Sequence, residues 1–143
     1  MIILDTHVLS ELLRPQPARQ VEQWLAAQDG TKIHFTTTGE AELRHGVALL
    51  PAGKRRNALT RAIDGLLDED LRDRILPFDR AAARAYATLA AARRATGRPI
   101  SQFDCQIAAI AHAREATVAT RNTGDYEGCG IELIDPWMFD ARH

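Results

Sequence analysis

Ile2-Ile3-Leu4-Asp5-Thr6-His7-Val8-Leu9 is the stretch that decides the fold. Three consecutive apolar residues ended by polar ones form the pattern of a short strand buried on both faces, as in a parallel sheet. Val8-Leu9 and Leu12-Leu13 then recur at helical spacing. A strand that runs straight into a helix places Asp5 at the carboxyl edge of the sheet. Open α/β sheets build their sites beyond that edge.

The same alternation continues along the chain. Val21, Trp24 and Leu25 mark a second short helix closed by Gly30, and the β-branched run Lys32–Thr37 reads as a second strand. A helix follows from Thr38, with Leu43, Val47 and Leu50 inward, and ends at Pro51 and Gly53. Residues 54–72 read as one helix burying Leu59, Ile63, Leu66 and Leu67. A third strand over Ile75-Leu76-Pro77-Phe78 leads to Asp79, a natural N-cap for the Ala-rich helix 80–96, and Ser101 caps a helix over 102–115. Strands over 117–120 and 131–134 flank a polar loop, Arg121–Gly130. Strands separated by helices throughout predict a mostly parallel sheet with helices on both faces, a three-layer α/β/α sandwich formed by a single domain over 1–143.

Composition narrows the function. The 143 residues are 45% hydrophobic, and 18 Lys plus Arg stand against 19 Asp plus Glu, a net charge of -1. No field of the whole molecule draws it onto nucleic acid or lipid, so nucleic-acid binding requires a local patch. With no long apolar run and no basic, apolar leader, the expectation is a soluble cytoplasmic protein without a membrane partner. Cys105 and Cys129 are expected to be reduced.

Four acids fall at strand ends or at the start of the helices beside them. Asp5 reads equally as an N-cap and as a site carboxylate. Glu42 shares a helix face with Gly46, which leaves space above it, whereas Glu40 has Arg44 four residues on as an ion-pair partner. Asp104 has the Ser-x-x-acid spacing of a capping box with Ser101, yet it looks across the small Ala108 and Ala111, which predicts a groove beside it. Asp125 lies in the loop after the fourth strand, where a turn is its ordinary reading. Carboxylates that converge without a cation repel one another, so the group calls for Mg²⁺ or Mn²⁺, hard ions that take oxygen ligands. Zinc is disfavoured, because His7, His34, His45, His112 and His143 show no paired spacing.

In their order and spacing these pieces resemble a PIN-domain ribonuclease of the VapC toxin type, FitB-like branch. The resemblance rests on Ile3-Leu4-Asp5-Thr6, Ala41-Glu42-Leu43-Arg44 with Gly46, and Ile75-Leu76-Pro77-Phe78-Asp79. It extends through Ser101 with Asp104, Ala119-Thr120-Arg121-Asn122 with Asp125, and Pro136-Trp137. It implies a PIN-like sandwich in which Asp5, Glu42 and Asp104 hold Mg²⁺ or Mn²⁺, with Asn122 or Asp125 in the fourth position. His7 stands where the family usually has Asn. Thr6, His7, Thr120 and Asn122 are implied supports of the acids.

The implied activity is hydrolysis of RNA phosphodiesters, by water activated at a carboxylate-held metal. An acidic centre needs a basic rim for an RNA substrate; Arg121 and Arg44 are the first candidates, with Lys54-Arg55-Arg56, Arg93-Arg94 and Arg98 as further ones. Implied partners are a VapB/FitA-like antitoxin and a second copy in a homodimer, with operator DNA reached only through the antitoxin complex. Leu12-Leu13, Trp24 and the helix 54–72 could face such partners or the core. An aspartyl phosphatase is disfavoured because His7 occupies the position of its second acid, and no P-loop occurs. The rival from another class is a catalytically idle PIN-like module that binds RNA or protein.

Overall fold

The computed structural model describes residues 1–142, so His143 lies outside the described residues. Five short strands, β1 (Ile2–Leu4), β2 (Ile33–Thr36), β3 (Ile75–Leu76), β4 (Thr117–Ala119) and β5 (Glu132–Ile134), form one sheet. Its order is β3-β2-β1-β4-β5, and every pairing is parallel. Among the described residues six α-helices accompany it: α1 (Thr6–Leu12), α2 (Arg19–Ala26), α3 (Thr37–Ala48), α4 (Lys54–Gly65), α5 (Arg80–Ala95) and α6 (Gln102–Arg114).

Side-chain alternation on the strands divides the core in two. Ile3 and Val118 pack with α5 and α6, through Ala82, Leu89, Ile107 and Ile110. Leu4, Ala119, Ile33 and Phe35 pack on the opposite face with Val8, Val21, Trp24, Leu43 and Ile63 from α1 to α4. The expected α/β/α layering follows directly from this period of two. Trp24 is therefore a core residue, not an exposed docking one.

Local chemistry sets the helix starts that matter here. Asp5 is extended and accepts the Thr6 amide at 2.8 Å, so it caps α1. Thr36 ends β2 and caps α3 by accepting the Gly39 amide at 2.9 Å. Ser101 caps α6 by accepting the Asp104 amide at 3.2 Å. Each cap satisfies a backbone donor that the first turn of a helix leaves open.

Two expectations are corrected. The segment 54–72 is not one α-helix: after Gly65 it widens into a π-helical turn, Leu66–Asp70, closed by Leu71 N–H donating to the Leu66 carbonyl at 2.9 Å. Burial of Ile63, Leu67 and Leu71 holds this wider turn against the core. No groove follows Ala108 and Ala111 either, since both are fully buried. Their small side chains admit close neighbours instead, and α6 is buried nearly all round, with Phe103 left 47% exposed.

Candidate functional site

Register brings the acids together. Leu4 pairs with Ala119, so Asp5 and Thr120 emerge side by side from the two central strands. The Asp5 amide donates to the Ala119 carbonyl at 2.9 Å, and the Thr120 hydroxyl donates to Asp5 Oδ2 at 2.8 Å. Glu42 arrives on α3, which starts at the same sheet edge, and its Oε1 accepts the Thr6 hydroxyl at 2.8 Å. Helix α6 leads into β4, so it runs against the strand direction and its first turn, with Asp104, lies at that edge too.

Tyr126 joins them, and sequence reasoning missed it. It is 1% exposed, on a 3₁₀ turn over Thr123–Tyr126. Its hydroxyl lies 3.3 Å from Asp5 Oδ1 and 3.3 Å from Asp104 Oδ1, one proton between two carboxylates. The capping-box reading of Asp104 is thus half right: Ser101 caps the helix, but the carboxylate turns to Tyr126. An aromatic residue flanked by Asp125 and Glu127 in a polar loop was the available signal, and only the closed loop gives it meaning.

The electrostatics are those of crowded acids. Burial pushes the Asp5 carboxyl above its ordinary value, against the Thr120 bond and the His7 charge, while the Asp104 charge pushes it further up. Glu42 is raised by burial and by the charges of Asp5 and Asp104, opposed by its Thr6 bond. The Tyr126 phenol is pushed far up by burial and both aspartates, so it stays a hydrogen-bond donor. His7 is exposed, lies close enough for a charge on its ring to lower the carboxyl pKa values of Asp5 and Glu42, and its side chain makes no hydrogen bond among the described residues.

Other expected residues take different places. Asp125 is exposed and is not drawn into the group; its carbonyl accepts from Arg93 at 2.9 Å, and its neighbour Tyr126 is the residue that turns inward. Asn122 reaches the site through its backbone, donating to the Thr120 hydroxyl at 3.1 Å. Arg44 forms the expected pair with Glu40 at 2.7 Å and also grips Asp64 on α4 at 2.8 Å, so its charge clamps α3 to α4 rather than facing a substrate. Arg93 is no rim residue: it is 7% exposed and donates to the carbonyls of Arg98, Asp125 and Glu127. Arg121 remains exposed near the site, its guanidinium 5.1 Å over the Trp137 ring.

A groove of about 590 Å³ starts at Thr6 and Glu42 and runs between α1, α3 and α4, past Leu13, Val47, Leu50 and Leu59. The open space expected above Glu42 is there, because nothing lies within 4 Å of a Cβ built on Gly46. Among the described residues no three His, Cys, Asp or Glu side chains form a ready-made metal cluster. The donors nevertheless suit a hard divalent ion. They are all oxygen, their charges repel, and Asp104 Oδ2 accepts no hydrogen bond among the described residues.

Comparison with known proteins agrees with this architecture. The PIN domain model matches residues 2–127. VapC ribonuclease Y4jK of Sinorhizobium fredii is 42% identical, over 96% of this chain and 98% of its own. Toxin FitB of Neisseria gonorrhoeae is 39% identical, over 96% and 99% respectively. A solved structure of FitAB bound to the IR36 DNA fragment superposes with a TM-score of 0.91 at 38% identity, covering 100% of both chains. Matching the PIN domain model over most of its length and sharing about two-fifths of its residues with VapC ribonuclease Y4jK and toxin FitB, the chain belongs to the PIN-domain family, alongside the VapC and FitB toxins.

Proposed function

We propose that this chain, as one PIN domain over residues 1–143, is a metal-dependent endoribonuclease and the toxin of a type II toxin–antitoxin module. The observation that carries the reading is the meeting of Asp5, Glu42 and Asp104 at one sheet edge, linked by Thr6, Thr120 and Tyr126. Nothing structural requires three acids there, and their mutual repulsion opposes it.

Asp5 and Asp104 are the proposed direct ligands of Mg²⁺ or Mn²⁺, and Glu42 holds it directly or through water. When bound, the ion lowers the pKa of water and offsets charge on the phosphoryl oxygens. The chain's own groups do the rest. Thr6 fixes the Glu42 carboxylate, whose raised pKa suits it to take a proton from an attacking water. Thr120 and the Thr6 amide lock the Asp5 rotamer, and Tyr126 holds Asp104 beside it. Asp125 and Asn122 at the loop mouth are left to contact water or substrate. The Glu42 groove, lined mainly by apolar side chains together with Arg14 and Arg55, suits a helical or extended segment of a FitA-like antitoxin, which would bring operator DNA contacts and a second toxin copy.

The test is calorimetric titration of Mn²⁺ and Mg²⁺ into the purified chain and into Asp104→Asn, with RNA cleavage assayed alongside. Binding at least about tenfold weaker in the variant, with cleavage lost in step, is the expected result. Equal binding in both proteins, with no RNA cut by either, assigns the chain instead to the idle binding modules.

A further inference from the structure

A second groove, of about 430 Å³, is lined by His7, Arg14, Arg55, Arg121, Asn122 and Trp137, and it shares Arg14 and Arg55 with the groove that starts at Thr6 and Glu42. These residues come from α1 and the stretch just after it, the first turn of α4, and the segments after β4 and β5. Three arginines face one glutamate there, Glu11, in a chain whose net charge is -1. Arg55 and Arg121 are exposed and form no ion pair among the described residues. Glu11 is itself committed: it is 8% exposed and accepts the Ala18 amide at 3.0 Å as well as Arg14 at 3.3 Å.

Two features favour an anion at these arginines. The Arg121 guanidinium carbon lies 5.1 Å over the Trp137 ring, a cation–π contact that uses none of its N–H donors, and those donors form no hydrogen bond among the described residues and are open to a phosphate. Lys54, Arg55 and Arg56 sit in the first turn of α4 with no acid among them, where the helix dipole disfavours cations and favours an anion. The groove also touches the acidic centre. His7 lines it and bears on Asp5 and Glu42, and the Asn122 amide holds Thr120, which holds Asp5.

We infer that this groove is a backbone-phosphate subsite for single-stranded RNA, in which Arg55 and Arg121 neutralise phosphates next to the one being cut and Arg14 extends the track. The inference rests on the nuclease reading for its choice of RNA over an acidic peptide. An acidic centre repels its own substrate, and the cations that compensate must lie within a nucleotide or two of it. With Arg121 lying over the Trp137 ring and three guanidinium groups lining it, the groove is assigned the backbone rather than a base.

The test uses the full chain in EDTA and a fluorescein-labelled oligouridylate of about twelve nucleotides. Anisotropy gives Kd from about 50 to 200 mM KCl for wild type, Arg55→Gln, Arg121→Gln, Arg121→Lys and Arg72→Gln. Arg72 is the charge-matched control, exposed and ahead of β3, on the far edge of the sheet. Each Gln variant in the groove should bind about tenfold more weakly. Each should also lower the slope of log K against log salt by about 0.7. Arg121→Lys should regain the slope, and Arg72→Gln should match wild type. A slope unchanged in both groove variants, or lowered equally by Arg72→Gln, overturns the subsite even if Asp104→Asn still abolishes cleavage, in which case the nuclease reading stands. Lowered slopes in a protein that cuts no RNA support the subsite and overturn the nuclease reading. Unchanged RNA binding with weakened antitoxin binding makes the groove a protein interface and refutes the inference.

Discussion

Tyr126→Phe isolates a single proton. The phenol ring is buried and Phe refills its space, so only the hydroxyl between Asp5 and Asp104 is lost. Hydrogen bonds to charged groups contribute about 1.5–3 kcal/mol. Both contacts here are 3.3 Å, longer than a strong O–H···O bond, and they share one hydrogen. The lower end, about 1.5 kcal/mol, is therefore expected, or a fall in Tm of roughly 4–5 °C. The loss should depend on charge. Asp5 and Glu42 have raised pKa values, so the stability they contribute is full below the ordinary carboxylate range and is lost as pH rises through their folded values. At neutral pH the phenol proton screens carboxylates that the fold would rather keep neutral. Scanning fluorimetry in EDTA should thus show a gap between variant and wild type that narrows as pH falls into the acid range. Mn²⁺ should narrow it too, by supplying the charge the proton supplied. Equal Tm values in EDTA at neutral pH would refute the bridge, and a gap indifferent to both pH and Mn²⁺ would refute its electrostatic origin.

Three further outcomes test the frame around the site. Arg93→Met leaves the carbonyls of Asp125 and Glu127 without their donor and should cost about 2–4 kcal/mol, read by thermal denaturation, with faster proteolysis within residues 121–130. Gly39→Ala would put a Cβ 2.6 Å from the buried Phe35 ring, so α3 or the ring must move; about 1–3 kcal/mol is the expected loss by denaturant titration, largely recovered in the Phe35→Leu, Gly39→Ala pair. The buried Cys105 thiol is pushed up to about 11 by burial, so its contribution to stability is full below about 9 and is lost as pH rises through about 11. Native Cys105 should accordingly resist a thiol reagent at pH 8 and react fully once unfolded.

The strands, the caps and the carboxyl-edge placement of Asp5 were legible in the chain because each depends on neighbours a few residues apart. Asp79 capping α5 through the Ala82 amide at 2.9 Å is of this kind, as is the Glu40–Arg44 pair. Glu42 and Asp104 were legible as candidates from helix-face and capping patterns, which are likewise local, and the family resemblance implied their grouping with Asp5. The widened turn after Gly65 was not legible, since the leucine pattern of 66–71 suits an α-helix equally well and packing chose between them.

What only the tertiary structure decided is which charges meet. Asp5 and Tyr126 are 121 residues apart, and Thr6 and Glu42 are 36 apart, distances over which no periodicity carries information. Arg44, Arg93 and Arg121 look alike as basic residues near motifs. The fold buries Arg93 under a loop, pairs Arg44 with acids on two helices, and leaves Arg121 over the Trp137 ring with its N–H donors open. Sequence set Asp5 at a strand end and Glu42 and Asp104 on the helices beside it, through local backbone preference and hydrophobic period. Parallel register and loop closure then decided that Tyr126 rather than Asp125 would stand between them, because burial of the aromatic ring releases more free energy than burial of an unpaired charge.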